Sequence, residues 1–256
     1  MNGNNRKVAL ITGASSGIGR ATAIRFAKEG IITSLVARNR TNLEKTYRDV
    51  KKAGSEGIVI TADLTKENHI SRCIDKTIKT FGRLDILVNS AGIIGSGSIE
   101  DTTLKDWDYM FNINLRSVFY LTKLAVPHLK KTKGTIVNVS SVTGLRSFPN
   151  VLAYCVSKAG VDQFTRCTAL ELAEKGIRVN AVNPGVVVTE LHRRGGMDDK
   201  TYKDFLKHSR KTHPLGRVGN PEEVAELIVF LATDRSKWIT GTTISIDGGR
   251  AQTCAR

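Results

Sequence analysis

Seven short runs rich in Val, Ile and Leu recur along the chain, each followed by a glycine or polar turn and then an amphipathic stretch. Strands joined through a dozen residues or more cannot close as tight hairpins, so this rhythm demands parallel pairing with crossover helices. The runs predict strands at Val8–Thr12, Ile32–Ala37, Ile58–Thr61, Ile86–Asn89, Gly134–Val139, Arg178–Val182 and Thr243–Ile246. Between them, Ile18–Glu29, Leu43–Ala53, Asn68–Phe81, Leu104–Leu129, Leu152–Ala173 and Pro221–Ala232 read as helices. The first carries Ile18, Ala21, Ile24 and Phe26 on one stripe and stops at Gly30, a residue that tolerates the left-handed conformation at a helix end. The fold class expected is α/β, a doubly wound seven-stranded parallel sheet with helices on both faces.

A chain of 256 residues without internal repeat, low-complexity linker or composition break suits one large α/β domain over 1–256. The least regular segment, 190–219, holds Gly195-Gly196, many charges and His213-Pro214. An insertion there, near the carboxyl ends of the strands, reads as a substrate lid within the domain rather than a second domain.

Composition excludes several classes. With 40% apolar and 25% charged residues the chain is neither disordered nor collagen-like. No apolar run approaches the 18 residues of a membrane span. Met1–Lys7 is polar and runs straight into a strand, which argues against a secretory leader and makes the cytoplasm the default compartment. Cys73, Cys155, Cys167 and Cys254 lie too far apart for a metal pair or a dense disulfide frame, so free thiols are expected. Cys254 is third from the end, one place too late for a prenylation box. The net charge of +15 raises nucleic acid as a partner, yet the cations are scattered and aromatics are only 6%; solvated lysines are the expected reading. Neither a nucleic-acid nor a membrane partner is expected.

The first strand runs into Thr12-Gly13-Ala14-Ser15-Ser16-Gly17-Ile18-Gly19. Glycines at 13, 17 and 19 leave a turn free of side chains, so backbone N–H groups can approach a pyrophosphate at the positive end of the next helix. A dinucleotide site of this kind normally grips the adenosine ribose with an acid at the end of the second strand. Leu35-Val36-Ala37-Arg38-Asn39-Arg40 offers none. Arg38, with Ser15 and Ser16, suits a 2′-phosphate, so NADP(H) is expected over NAD(H); the alternative makes Arg38 a solvated strand-end residue.

Tyr154-Cys155-Val156-Ser157-Lys158 sets a phenol and an ammonium four residues apart on one helix face. A neighbouring ammonium favours phenolate and lowers a tyrosine pKa toward the range of a useful proton shuttle. Ser141, thirteen residues upstream, falls at the end of the fifth predicted strand, where a doubly wound sheet opens its ligand crevice. Its hydroxyl can hold a carbonyl oxygen while the phenol protonates it.

These motifs, with Asp63-Leu64, Asn89-Ser90-Ala91-Gly92, Asn114, Ser140-Ser141, Asn183-Pro184-Gly185 and Asp247-Gly248-Gly249, make the chain resemble a short-chain dehydrogenase/reductase over nearly its whole length. The resemblance implies a Rossmann fold and an NADP(H)-dependent oxidoreductase acting on a carbonyl or secondary alcohol, without a metal. It implies Tyr154 as general acid and base, Ser141 as the group that orients the carbonyl, Lys158 as partner of Tyr154 and of the nicotinamide ribose, and Asn114 as holder of a relay water. The cofactor would be held by Gly13, Ser15, Ser16, Gly17, Ile18, Gly19, Arg38, Asp63, Leu64, Asn89, Ala91, Gly92, Pro184, Gly185, Val187 and Thr189. Val142, Leu145, Phe148, Pro149 and Leu191 would line the substrate pocket, and their apolar character suits a small hydrophobic carbonyl or alcohol.

Two departures bear on substrate. Ser90 replaces the second Asn of the family's Asn-Asn-Ala-Gly, and Thr132 and Leu170 stand where bacterial relatives carry arginines for an acyl carrier protein. A 3-oxoacyl thioester reductase is the rival enzyme, and a non-catalytic dinucleotide- or nucleic-acid-binding protein the rival of another class. Relatives assemble as tetramers through helices matching Leu104–Leu129 and Leu152–Ala173, and apolar Trp107, Phe111, Val118, Phe119, Phe164 and Leu170 fit a homotetramer here.

Overall fold

A computed structural model describes residues 6–253; the readings made on Met1–Asn5 and Cys254 lie outside the described residues. The strands are β1 (Val8–Thr12), β2 (Ile32–Ala37), β3 (Gly57–Thr61), β4 (Ile86–Asn89), β5 (Thr135–Val139), β6 (Arg178–Pro184) and β7 (Thr243–Ile246). They form one sheet in the order β3-β2-β1-β4-β5-β6-β7, every neighbouring pair parallel. The seven strands stand where the apolar runs predict them. From β1 the chain works outward to β3, then returns to β4 on the other side of β1. Order therefore reverses between β1 and β4, and there the connecting loops diverge to leave a crevice beyond the strand ends.

Ten helices are described: α1 (Gly17–Lys28), α2 (Arg40–Lys52), α3 (Glu67–Phe81), α4 (Leu104–Phe111), α5 (Ser117–Thr132), α6 (Val142–Leu145), α7 (Leu152–Ala173), α8 (Leu191–Arg194), α9 (Asp199–Thr212) and α10 (Pro221–Ala232). Alternate strand residues serve opposite faces. Ile11, Val88 and Val137 pack on one side with Phe26, Leu43 and Ile228 of α1, α2 and α10. Leu10, Leu87 and Ile136 pack on the other with Ile70, Leu121 and Leu172 of α3, α5 and α7. Each fully buried Leu, Ile or Phe contributes about 1.5–3 kcal/mol.

The single helix expected over Leu104–Leu129 is divided. Asn112–Arg116 forms a π turn between α4 and α5, and α5 runs on to Thr132 before Lys133 turns it at φ 50°. A π turn admits one extra residue per turn, which shifts the face of everything beyond it and commonly marks a functional site. Its middle residue is Asn114.

Candidate active site

The glycine loop is pinned by Thr12. Its hydroxyl oxygen accepts from the backbone N–H groups of Ser90 and Ala91, both at 3.0 Å, and so ties the end of β1 to the loop after β4. Gly13 follows at φ 67°, and a Cβ there would stand 2.8 Å from the Ser90 carbonyl oxygen, so only glycine lets the two loops close on one another. α1 then begins with no acid in its first turn and no side-chain cap from Ser16. Its N-terminal N–H groups and positive dipole end are left for an anion. Gly17 and Gly19 belong to the same turn, Ser15 and Ile18 are half-buried beside them, and Thr189 reaches across from beyond β6 so that a Cβ at Gly17 would stand 3.1 Å from its Cγ2.

At the end of β2, Arg38 is exposed, donates to the Tyr109 hydroxyl at 3.4 Å, and has no acid within ion-pair distance among the described residues. Asp63 lies near enough for the Arg38 charge to act on its carboxyl. Burial raises that carboxyl, but bonds from the Thr65 N–H and hydroxyl, with Arg38 and Lys66, bring it below the ordinary carboxylate value. Leu64 is buried beside it. Asn89 turns inward: its amide nitrogen donates to the Asn138 side chain at 2.8 Å, so its side chain joins β4 to β5.

Tyr154, Lys158 and Ser141 meet at the carboxyl end of β5. All three are buried. Ser141 caps α6, its hydroxyl oxygen accepting from Thr143 N–H at 3.1 Å. Lys158 lies one helical turn beyond Tyr154 on α7, with Nζ 5.8 Å from the phenol ring centroid and donating to the Val139 carbonyl at 2.9 Å. Asn114 faces the same place from the π turn. Its side chain accepts from Ile93 N–H at 2.9 Å and donates to the Ile93 carbonyl at 3.0 Å and to Ser157 at 3.1 Å. Gly92 separates Asn114 from Lys158: a Cβ there would lie 3.4 Å from Asn114 Oδ1 and 3.5 Å from Lys158 Nζ.

The electrostatics differ from the sequence expectation. Burial pushes the Tyr154 phenol up to about 12, with hydrogen bonding from Ser141 pulling the other way. The ammonium was expected to lower it; instead Lys158 directs Nζ to a carbonyl, and desolvation governs. Burial also brings Lys158 down to about 8, opposed by the charge of Asp162.

Asp162 is the residue that sequence reasoning missed. It is almost fully buried and lies one further turn along α7, on the face of Tyr154 and Lys158. Burial raises its carboxyl, while Ser140, Asn183 and the charges of Arg166 and Lys158 oppose this. Its two oxygens lie 3.0 and 2.9 Å from Asn183 Nδ2, which also donates to the Ser141 carbonyl at 2.9 Å. Ser140 Oγ donates to the Lys158 carbonyl at 3.1 Å. One buried acid thus braces both the strand end bearing Ser141 and the helix bearing Lys158. An acid spaced four residues past a helical lysine reads in sequence as a solvated ion pair, so only the fold gives it away.

Comparison with known proteins identifies the family. The profile of a family described as enoyl-(acyl carrier protein) reductase matches residues 13–251. The chain is 40% identical over 244 residues to the 3-oxoacyl-[acyl-carrier-protein] reductase FabG of Thermotoga maritima, covering 95% of this chain and 97% of that one. A crystal structure of a Caenorhabditis elegans short-chain dehydrogenase/reductase of unknown function, with cofactor, superposes with a TM-score of 0.92 at 38% identity over 97% of this chain and 96% of that one.

The chain belongs to the short-chain dehydrogenase/reductase family. It is an oxidoreductase of that family, whose members use nicotinamide dinucleotides. Its kin are chemically diverse; the cyclohexanol dehydrogenase of an Acinetobacter strain is 35% identical over 247 residues, 95% of this chain and 94% of the other.

In this short-chain dehydrogenase/reductase the β6 end and the 190–219 segment are clasped together. Pro184 ends β6, Gly185 N–H donates to Ile246 at 3.1 Å, and Val187 bridges to Gly219. Buried Tyr202 of α9 donates its hydroxyl to the Thr189 carbonyl at 3.0 Å. His213 accepts from Val186 N–H at 3.1 Å through Nε2 and lies 2.6 Å from the Ser209 carbonyl through Nδ1. Of the expected pocket residues, Val142 is buried, Phe148 and Leu191 are half-buried, and Leu145 and Pro149 are exposed; all lie on the segment after Ser141 or on the 190–219 segment.

Proposed function

We propose that this enzyme transfers hydride between NADP(H) and a small, largely apolar carbonyl compound or the corresponding secondary alcohol, with Tyr154 moving the proton. The observation that carries the reading is the convergence of Ser141, Tyr154 and Lys158 at the end of β5, close to the glycine loop and Asn114. The dinucleotide supplies the hydride in reduction and takes it up in oxidation. The chain does the rest. Ser141 donates to the carbonyl oxygen and holds its carbon at the right distance, which is where much of the rate enhancement of a bound reaction arises. Tyr154, kept protonated by burial through neutral pH, gives its phenolic proton to that oxygen as the alcohol forms, and in the reverse direction takes it back. Lys158, with a pKa brought to about 8, is poised to resupply that proton, and Asn114 stands beside it as the way out to solvent.

The residues present fit the dinucleotide. The uncapped, acid-free start of α1 suits the pyrophosphate, and an Arg38 without a carboxylate partner suits a 2′-phosphate where an acid would repel it. That cation is the reason for proposing NADP(H) over NAD(H). Asp63, Leu64, Ala91 and Gly92 take the adenine and floor of the site; Pro184, Gly185, Val187 and Thr189 take the nicotinamide end. Asn89 acts from beneath, through Asn138.

A 3-oxoacyl thioester reductase is the second reading, favoured by the similarity to the Thermotoga enzyme. Turnover of acetoacetyl thioesters set against free ketones separates the two. We further propose one catalytic domain in which 190–219 is the substrate lid, joined to the cofactor loop by Tyr202 and His213. A homotetramer is proposed on Phe119, Leu170 and Trp238, which expose 49%, 81% and 99% of their surface; a monomeric mass by light scattering would refute it. Among the described residues no helix is long and apolar enough to cross a membrane. Unpaired Cys73, Cys155 and Cys167 support the cytoplasm as the compartment. The test of the main reading is NADPH oxidation, followed by absorbance, against a panel of ketones, diketones and acetoacetyl thioesters.

A further inference from the structure

Arg250 follows Gly249 after β7 and folds back against the substrate side of the site. Its guanidinium carbon lies 4.8 Å from the ring centroid of Phe148, on the segment after Ser141. Nη1 donates to Thr212 at the end of α9, at 3.0 Å. Nε is buried and has no hydrogen-bond partner. No carboxylate lies within ion-pair distance of Arg250 among the described residues. The acid nearest in sequence, Asp247, spends its oxygens on the N–H groups of Gly249 and Ala251, at 2.9 and 2.6 Å. The charge of Asp247 acts on the guanidinium, His192 and His213 both feel the Arg250 field, and Arg146 donates to the Ala251 carbonyl at 2.6 Å. His192, in α8, holds a second buried nitrogen without a partner, Nδ1.

Arg250 itself is half-buried, but a guanidinium whose Nε is buried with no partner is costly for a protein to keep, and the cost falls away when an anion completes it. Thr212 of the 190–219 segment and Phe148 of the segment that follows Ser141 flank this cation. One guanidinium edge and one imidazole match the two oxygens of a carboxylate. We propose that Arg250 binds a carboxylate on the substrate, with His192 beside it, and that the enzyme acts on oxo acids and hydroxy acids whose middle section is apolar. This rests on the oxidoreductase reading above and names the substrate class for it. Val142, Leu145 and Leu191 would hold the hydrocarbon section, and Arg250 would set which end faces Ser141 and Tyr154.

The test uses the NADP⁺-loaded protein and two readouts. In calorimetry, hexanoate should bind about tenfold more tightly than hexanamide, with the difference abolished in Arg250→Gln and kept in part in Arg250→Lys. In kinetics, the ratio of kcat/KM for 5-oxohexanoate over its methyl ester should exceed about ten and fall to about one in Arg250→Gln. Ratios within one variant are insensitive to the fraction folded. Equal binding of acid and amide by the wild type, an undiminished preference in Arg250→Gln, or tighter binding of hexyl phosphate than of hexanoate would overturn the carboxylate assignment. Equal turnover of acid and ester would overturn it while leaving the oxidoreductase reading intact. Selective hexanoate binding without turnover of any carbonyl would uphold the carboxylate site and remove the reading on which its substrate class rests.

Discussion

The half of the sheet that would hold the nucleotide and the half that would hold the substrate satisfy their polar groups differently. From β1 to β4 the polar side chains at strand ends are spoken for. Thr12 binds two N–H groups of the neighbouring loop, Asp63 is closed by Thr65, and Asp85 accepts from Val8 N–H at 2.8 Å and from both sides of Arg83. Beyond β5 the pattern inverts. Of six buried side-chain atoms without a partner among the described residues, five belong to Thr143, Asn183, His192, Ser209 and Arg250; only Thr33 lies in the first half. Buried polar groups are nearly always bonded, so these exceptions set the second half apart from the first. On the reading proposed above, the nucleotide half leaves backbone N–H groups free at the start of α1, while the substrate half leaves buried side-chain groups unmet.

The largest effect that separates the two halves should come from Lys158→Met. It removes the group beside Tyr154 without touching the glycine loop, and kcat should fall by about 10²–10⁴ with NADPH affinity, read by fluorescence titration, changed far less. Loss of affinity equal to the loss of rate would break the division.

Next comes Gly144→Ala. Its Cβ would clash with the Asp162 carboxylate, and overpacking there should cost about 1–3 kcal/mol in urea unfolding. A neutral outcome would mean that the Asp162 brace is slack.

On the nucleotide side, Arg38→Asp should raise KM for NADPH by about tenfold or more and leave NADH use equal or better, since an acid replaces a cation facing a phosphate. An unchanged preference would sink the assignment of Arg38.

The smallest effect is in pH dependence. The rate of reduction should fall as pH rises through about 8, where Lys158 loses its proton, and in Asp162→Asn this limb should move to lower pH, because the carboxylate raises the Lys158 pKa. Stability responds in the same window. Between about 8 and the free-lysine value of 10.5 the unfolded chain binds more protons than the folded one, so stability should climb with pH there, and Lys158→Met should flatten the climb.

The strands were legible because seven apolar runs with interposed helices admit few other folds, and the observed order follows from right-handed crossovers on both sides of β1. Thr12–Gly19, Ser141, Tyr154 and Lys158 could be picked out because their spacing is itself the chemistry. The π turn at Asn112–Arg116 could not, since its apolar stripe differs from that of an unbroken helix by one residue. Asp162 was hidden for another reason: a charged residue in sequence is read as solvated, and only burial turns it into a brace. The same oversight reversed the expected direction for Tyr154, whose proximity to lysine is visible in the sequence and whose desolvation is not.

The account turns on Tyr154 as the proton carrier for a hydride transfer. The decisive measurement is the loss of NADPH absorbance at neutral pH with a panel of ketones and oxo acids, wild type beside Tyr154→Phe at matched NADPH saturation. The account predicts oxidation by the wild type and a fall of about 10²–10⁴ in the variant with NADPH still bound. Turnover undiminished in Tyr154→Phe would contradict it.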